Sequence, residues 1–214
     1  MNRKTLFLSV AGALLLSFVA AVALYQQYKA GSAADSRHQA ALHRESAPIK
    51  GPLDAKVTVV EFLDPACGTC RDFYPLAAQW IEQYPGKVRV MVRYAPLHSG
   101  SDQVVKMLEA ARLQGQFWQA LEKLFETQNR WVVDHVAQPM RARAILGSLE
   151  LDQKKFSEDL NRPEIAEVVQ QDLRDGQTLK VRATPEFFVN GRPLPSFGQE
   201  PLNRLIQEAV EEAY

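Results

Sequence analysis

The chain of 214 residues holds only two cysteines, and they stand three positions apart. A disulfide framework for a small secreted domain needs more of them, spread along the sequence, so a scaffolding purpose is excluded. An excess of charge of either sign is also lacking: 25 Lys and Arg balance 25 Asp and Glu. Nothing in that balance marks a nucleic-acid partner or an acidic substrate. There are no internal repeats and no low-complexity tract.

Long apolar runs are confined to one. Leu6 to Leu24 carries no charge and follows the basic start Asn2-Arg3-Lys4. As a helix this run would be about 28 Å long, close to the hydrocarbon thickness of a bilayer. Two readings stay open. Ala21-Val22-Ala23 suits cleavage of a signal peptide, whereas the length of the run suits an uncleaved anchor. Either delivers Tyr25 onward across a membrane into an oxidising compartment. Residues 1–24 are thus expected to be signal anchor or signal peptide. Residues 25–50, with Gly31-Ser32-Ala33-Ala34 and no clear apolar stripe, read as linker. Gly51-Pro52 marks the turn into a folded body over 51–214.

That body opens with a β-branched run, Val57-Thr58-Val59-Val60-Glu61-Phe62, which predicts a strand ended by Asp64-Pro65. Phe73, Leu76, Ala77, Trp80 and Ile81 predict a helix from about Cys70 to Gln83, and Val88 to Tyr94 alternates as a second strand. Strand, helix, strand at this spacing is a βαβ unit, so the two strands should run parallel. From Ser101 to Leu179 only helical periodicity remains, in five segments. They cover Ser101–Leu113, Phe117–Phe125, Pro139–Leu149, Gln153–Leu160 and Pro163–Leu179, an all-helical insertion over about residues 100–179. Strands return with Glu186-Phe187-Phe188-Val189, the hairpin signal Asn190-Gly191 and Arg192-Pro193-Leu194. An amphipathic helix from Glu200 to Ala213 closes an α/β fold.

The two cysteines, in Cys67-Gly68-Thr69-Cys70, fall where the first strand hands over to its helix. Free N–H groups and the helix dipole favour an anion at such a terminus, so Cys67 is expected to carry a lowered pKa and to attack. Cys70, one turn later, is expected to lie deeper and to resolve a mixed disulfide. Gly68 and Thr69 add no charge and leave room for a substrate chain. Zinc would need four ligands, and His38, His43, His98 and His135 show no ligand-like pairing. Haem attachment would need a histidine where Arg71 stands. His98, just past a strand end, is expected to serve in capping or at the surface, and Asp64 to be solvated.

The segment Glu61-Phe62-Leu63-Asp64-Pro65-Ala66-Cys67-Gly68-Thr69-Cys70 resembles the active-site segment of the thioredoxin superfamily. The helical insertion, Tyr94-Ala95-Pro96-Leu97-His98 with Gln114-Gly115-Gln116-Phe117-Trp118, and Val181 to Gly191 resemble its DsbA-like branch. The resemblance implies a thioredoxin fold with a helical insertion over about 51–214. It implies a thiol–disulfide oxidoreductase, in oxidase, isomerase or reductase direction. Thr184-Pro185 matches the cis-proline dipeptide that would hold the substrate chain, and Glu61 the buried acid that would handle the proton of Cys70. Gly68-Thr69 in place of Pro-His implies a less oxidising couple than in the branch's best-known oxidase. The implied setting is the bacterial inner membrane or periplasm. The expected partners are protein thiol or disulfide substrates and a membrane redox partner, the chain is expected to be a monomer, and no cofactor beyond the Cys67–Cys70 disulfide is implied. The competing reading, from a different class, is a thioredoxin-fold binding module, chaperone-like or Cu(I)-handling, in which the dithiol would bind a soft metal such as Cu(I).

Overall fold

The computed structural model describes residues 2–214, without the side chains of residues 3–17, 30, 33 and 34. The chain divides into two units, residues 1–40 and Ala41–Tyr214. Residues 3–40 of the first belong to helix α1 (Arg3–Leu42), so residues 25–42 are helical where the sequence pattern suggested linker. Among the described residues no helix is long and apolar enough to cross a membrane. The run Leu6–Leu24 lies largely outside the described side chains.

The second unit starts about ten residues before the turn at Gly51, because Ala41, Leu42 and Ala47 are already buried. A short strand β1 (Ile49–Lys50) leads to β2 (Val57–Leu63), α2 (Gly68–Gln83) and β3 (Val88–Tyr94). The insertion follows as α3 (Ser101–Arg112), α4 (Phe117–Glu126) and α5 (Gln128–Trp131), then strands β4 (Val132–Val133) and β5 (Val136–Ala137). It continues with α6 (Pro139–Leu146), α7 (Gln153–Asp159) and α8 (Pro163–Thr178). Strands β6 (Glu186–Val189) and β7 (Arg192–Pro193) and helix α9 (Gln199–Ala213) complete the fold.

The main sheet has the order β1-β3-β2-β6-β7. β2 and β3 run parallel, from Val57 opposite Val88 to Leu63 opposite Tyr94, as a βαβ unit demands. β6 lies antiparallel on the other side of β2, with Phe62 opposite Glu186. β2 is therefore central and buried along its whole length, as its near-continuous apolar run requires. Val57 and Val59 pack with Trp80, Leu202 and Ile206 of the flanking helices, while Val60 and Phe62 pack with Met91, Phe188 and Leu179 on the other face.

The insertion builds its own core from the stripes that the sequence displays: Val104, Leu108, Phe117, Leu121, Leu124 and Trp131 are all buried. It is not purely helical, because β4 and β5 form a two-stranded ribbon turned by Asp134 and His135, both at positive φ. Gly100, at φ +79°, lets this ribbon close onto the start of α3: a Cβ there would come within 2.9 Å of the Ala137 oxygen.

A buried ionic network joins insertion to sheet. Arg93 of β3 is fully buried and donates to Asp172 at 2.9 Å and Asp175 at 2.5 Å on α8, and to the Ala41 carbonyl at 2.8 Å. Arg44 pairs with Asp172 at 3.0 Å, and the Tyr94 N–H donates to the same carboxylate at 2.8 Å. Two cations, two anions and backbone partners thus compensate charges that would be too costly to bury alone.

Candidate active site

The sheet order brings the two ends of the site together. Because β2 and β6 are antiparallel neighbours, the loop leaving β2 meets the loop entering β6. Cys67 ends the first loop as the residue before α2, and Thr184-Pro185 ends the second, its peptide bond cis. Cys67 Sγ lies 3.2 Å from the Thr184 carbonyl oxygen, to which the thiol donates. Both cysteines are free thiols; Cys67 is 7% exposed and Cys70 has no exposure.

The environment separates the two thiols sharply. The Cys70 thiol, the Thr184 side chain and the backbone N–H groups of Cys70 and Thr69 all lie where they favour a Cys67 thiolate. Against partial burial, these donors pull Cys67 down to about 5. On ionising, Cys67 gives up its bond to the Thr184 carbonyl and keeps these donors. Cys70 moves the other way: burial, its bond to Cys67 and the charge of Glu61 hold its thiol well above the usual range. Thr69 contributes to this shift with its backbone rather than its hydroxyl, and a Cβ on Gly68 would meet only the Gln128 Oε1, 4.0 Å away.

Glu61 sits on β2 opposite Phe187 of β6 and is 4% exposed. Among the described residues its Oε1 has no hydrogen-bond partner, and burial, with the nearby Cys67 charge second, pushes its carboxyl up to about 8. The carboxyl is thus held protonated at neutral pH and linked electrostatically to both sulfurs.

Asp64 corrects the expectation of solvation, since it has no exposed surface. Its Oδ1 accepts from the Ala66 N–H at 2.8 Å, and its Oδ2 from the His98 N–H and Nδ1, both 2.8 Å, and from Ser101 Oγ at 3.1 Å. An aspartate before proline at a turn readily bonds its own downstream backbone, and these donors replace the lost water. His98 serves as a partner for Asp64 and stacks on His135 with centroids 6.2 Å apart. Gln128 of α5 donates to the Pro65 and Cys67 carbonyls at 2.9 and 3.0 Å. The Asp-Pro pair could have signalled the first of these contacts; no local pattern announces Gln128. Among the described residues no group of three or more His, Cys, Asp or Glu gathers as a metal site. A cleft of about 640 Å³ runs beside α2, between Arg71 and Tyr74 on one side and Phe125 and Gln128 on the other.

Fold and site together define a thioredoxin-fold domain with a helical insertion and a Cys-x-x-Cys motif at the head of α2. The chain belongs to the thioredoxin family: the family model described as Thioredoxin matches residues 43–208. A probable disulfide bond formation protein D of Bacillus anthracis is 30% identical over 148 residues, covering 66% of this chain and 68% of that protein. The crystal structure of a thioredoxin-like oxidoreductase from Silicibacter pomeroyi is 26% identical and superposes with a TM-score of 0.68, over 81% of this chain and 98% of that one. An Na(+)/H(+) antiporter NhaA of Herminiimonas arsenicoxydans is 32% identical over 149 residues, 68% of this chain but 22% of the antiporter. The chain thus spans about a fifth of the length of the curated relatives it matches first.

Proposed function

We propose that the chain donates disulfides to exported protein substrates through Cys67 and Cys70. In the forward direction a substrate thiolate attacks Cys67 Sγ of the Cys67–Cys70 disulfide. The bond between the two enzyme sulfurs breaks, Cys70 leaves as a thiolate, and the Glu61 carboxyl supplies its proton. A second substrate thiolate then attacks the substrate sulfur of the mixed disulfide, and Cys67 leaves as a thiolate. The substrate has lost two electrons and gained a disulfide, and the enzyme is a dithiol. A membrane redox partner would accept those two electrons and restore the disulfide. Thr184 and Pro185 border the attacked sulfur, where substrate main chain can lie alongside in strand-like fashion. The cleft beside α2 offers room for the flanking substrate side chains. Residues 1–24 would carry export or anchoring and residues 25–50 the connection to the exchange domain, in the bacterial periplasm or facing it from the inner membrane.

The observation that carries this reading is the placement of Cys67 at the head of α2, its Sγ 3.2 Å from the Thr184 oxygen of the cis Thr184-Pro185 loop, above a fully buried Cys70, a setting that favours the Cys67 thiolate. A thiolate at about 5 is a good leaving group and stabilises the dithiol form. Relative to an ordinary thiol it favours reduction at pH 7 about 100-fold, or about 60 mV. Direct evidence would come from the full chain followed by ultraviolet thiolate absorbance and equilibrated with glutathione. The expected midpoint lies near pH 5, with a couple more oxidising than thioredoxin's, about −270 mV. Titration like an ordinary thiol, or a couple at thioredoxin's value, would sink the donor direction.

Glu61 gives a separate pH signature. Its folded carboxyl, raised to about 8, keeps a proton that the unfolded chain loses near 4.5. Unfolding therefore releases a proton in that window, and stability falls as pH rises through it, by at most about 4–5 kcal/mol. Glu61→Gln should remove the loss. In the oxidised protein, where Cys67 does not titrate, its melting-temperature advantage over the parent should grow from pH 5 to pH 8. It should also slow formation of the mixed disulfide, since no proton is then supplied to the departing Cys70. An advantage that stays flat with pH would show that Glu61 ionises normally.

A further inference from the structure

Gln128 is the first residue of α5, in the insertion, and is 4% exposed. Its Nε2 donates to the Pro65 oxygen at 2.9 Å and to the Cys67 oxygen at 3.0 Å, which uses both amide hydrogens. Two carbonyl acceptors can be served only by the nitrogen end of the amide, so the chemistry fixes the orientation of the side chain. The two carbonyls flank Ala66, and the Ala66 N–H between them goes to Asp64 at 2.8 Å. The loop that delivers Cys67 is therefore held from two sides, its N–H by a carboxylate of the loop itself and its carbonyls by an amide from the insertion.

The Cys67 carbonyl is also the first acceptor of α2, receiving the Arg71 N–H at 3.2 Å. Where that peptide unit sits decides where the N–H groups of the helix's first turn point. Those of Thr69 and Cys70 favour the Cys67 thiolate. We propose that Gln128 is a positioning residue, through which the helical insertion aims the first-turn amides of α2 at the Cys67 sulfur. This deepens the proposed exchange function and rests on it, because the aim matters only if Cys67 works as a thiolate. The insertion then does more than enlarge the surface around the motif: it tunes the sulfur by way of the backbone.

The test is Gln128→Met, which keeps the volume of the side chain and removes both donors. Among the described residues the Pro65 oxygen then has no donor left, so the loop must shift to find one. The Cys67 titration midpoint in the full chain is expected to rise by about one unit, a tenfold loss of thiolate below the midpoint. The glutathione equilibrium should shift about tenfold against reduction. Asp172→Asn is the control, because it weakens the seam between insertion and sheet without touching the loop. It should lower the melting temperature and leave the Cys67 midpoint in place. If Gln128→Met proves too unstable to titrate, Gln128→Glu, which sets a carboxylate against the same two carbonyls, should raise the midpoint at least as far. An unchanged midpoint in the Gln128 variant, or an equal rise in Asp172→Asn, overturns the positioning role. An ordinary thiol titration in the parent chain would instead overturn the donor reading on which this role rests, so the two failures can be told apart.

Discussion

Cys67→Ser is expected to abolish disulfide exchange, by at least about a thousandfold, while Cys70→Ser stops the reaction halfway. A serine hydroxyl does not ionise in the range where Cys67 does, and it cannot form a mixed disulfide. The loss should therefore appear both in oxidation of a reduced peptide and in reduction of insulin, whichever way electrons flow. Cys70→Ser leaves Cys67 with the Thr184 hydroxyl and the first-turn N–H groups that support its thiolate. It can still attack a substrate disulfide, but nothing adjacent can release the product. A covalent adduct through Cys67 should accumulate and be visible as an added mass that reductant removes. A Cys67→Ser protein with unchanged rates in both assays would end the enzymatic reading. Tight, stoichiometric Cu(I) binding without exchange would support the binding-module alternative.

The second large effect concerns stability. Arg93→Met is expected to cost about 3–5 kcal/mol, because it strands two carboxylates that the fold holds away from water. Asp172 would keep Arg44 and the Tyr94 N–H, and Asp175 would keep Gln171 at 2.8 Å, so the loss should fall toward the lower end of that range. The network lies on the sheet face with Phe62, over whose ring the Arg93 guanidinium stands at 5.3 Å, while Glu61 points to the other face. The Cys67 titration should therefore hardly move in whatever fraction stays folded. Denaturant unfolding of the full chain measures the cost, and a change under about 1 kcal/mol would show that the seam does not depend on this arginine.

Much of this architecture is legible locally. The apolar stripes from Val104 onward predict helices at Ser101–Leu113 and Phe117–Phe125, and the structure has them at Ser101–Arg112 and Phe117–Glu126. Pro139 and Pro163 mark two helix starts because proline's fixed φ and missing N–H suit a first turn. The ribbon β4–β5 stays hidden, since its turn is Asp134-His135 rather than the Asn-Gly that positive φ favours. The two-residue strand β1 is too short to carry any period. The burial of Asp64 is not legible locally, because a charged residue points to solvent while its four polar partners come from as far along the chain as Ser101.

By itself the sequence determined what depends on neighbours along the chain: a Cys-x-x-C motif between a strand and a helix, the βαβ unit, the helical stripes and the closing hairpin. A strand's alternation, a helix's stripe and a turn's residues are written within a dozen positions, so they can be read without the fold. The helix end at Cys67 is legible too, but tertiary structure decided what else surrounds the two sulfurs. Cys67 meets the Thr184 oxygen across 117 positions because β6 pairs beside β2. Glu61 is buried because β2 became the central strand, and Gln128 reaches the Cys67 carbonyl from the insertion, 61 positions away. Whether a thiol ionises depends on which dipoles surround it and how much water is shut out, and strand order and packing set both.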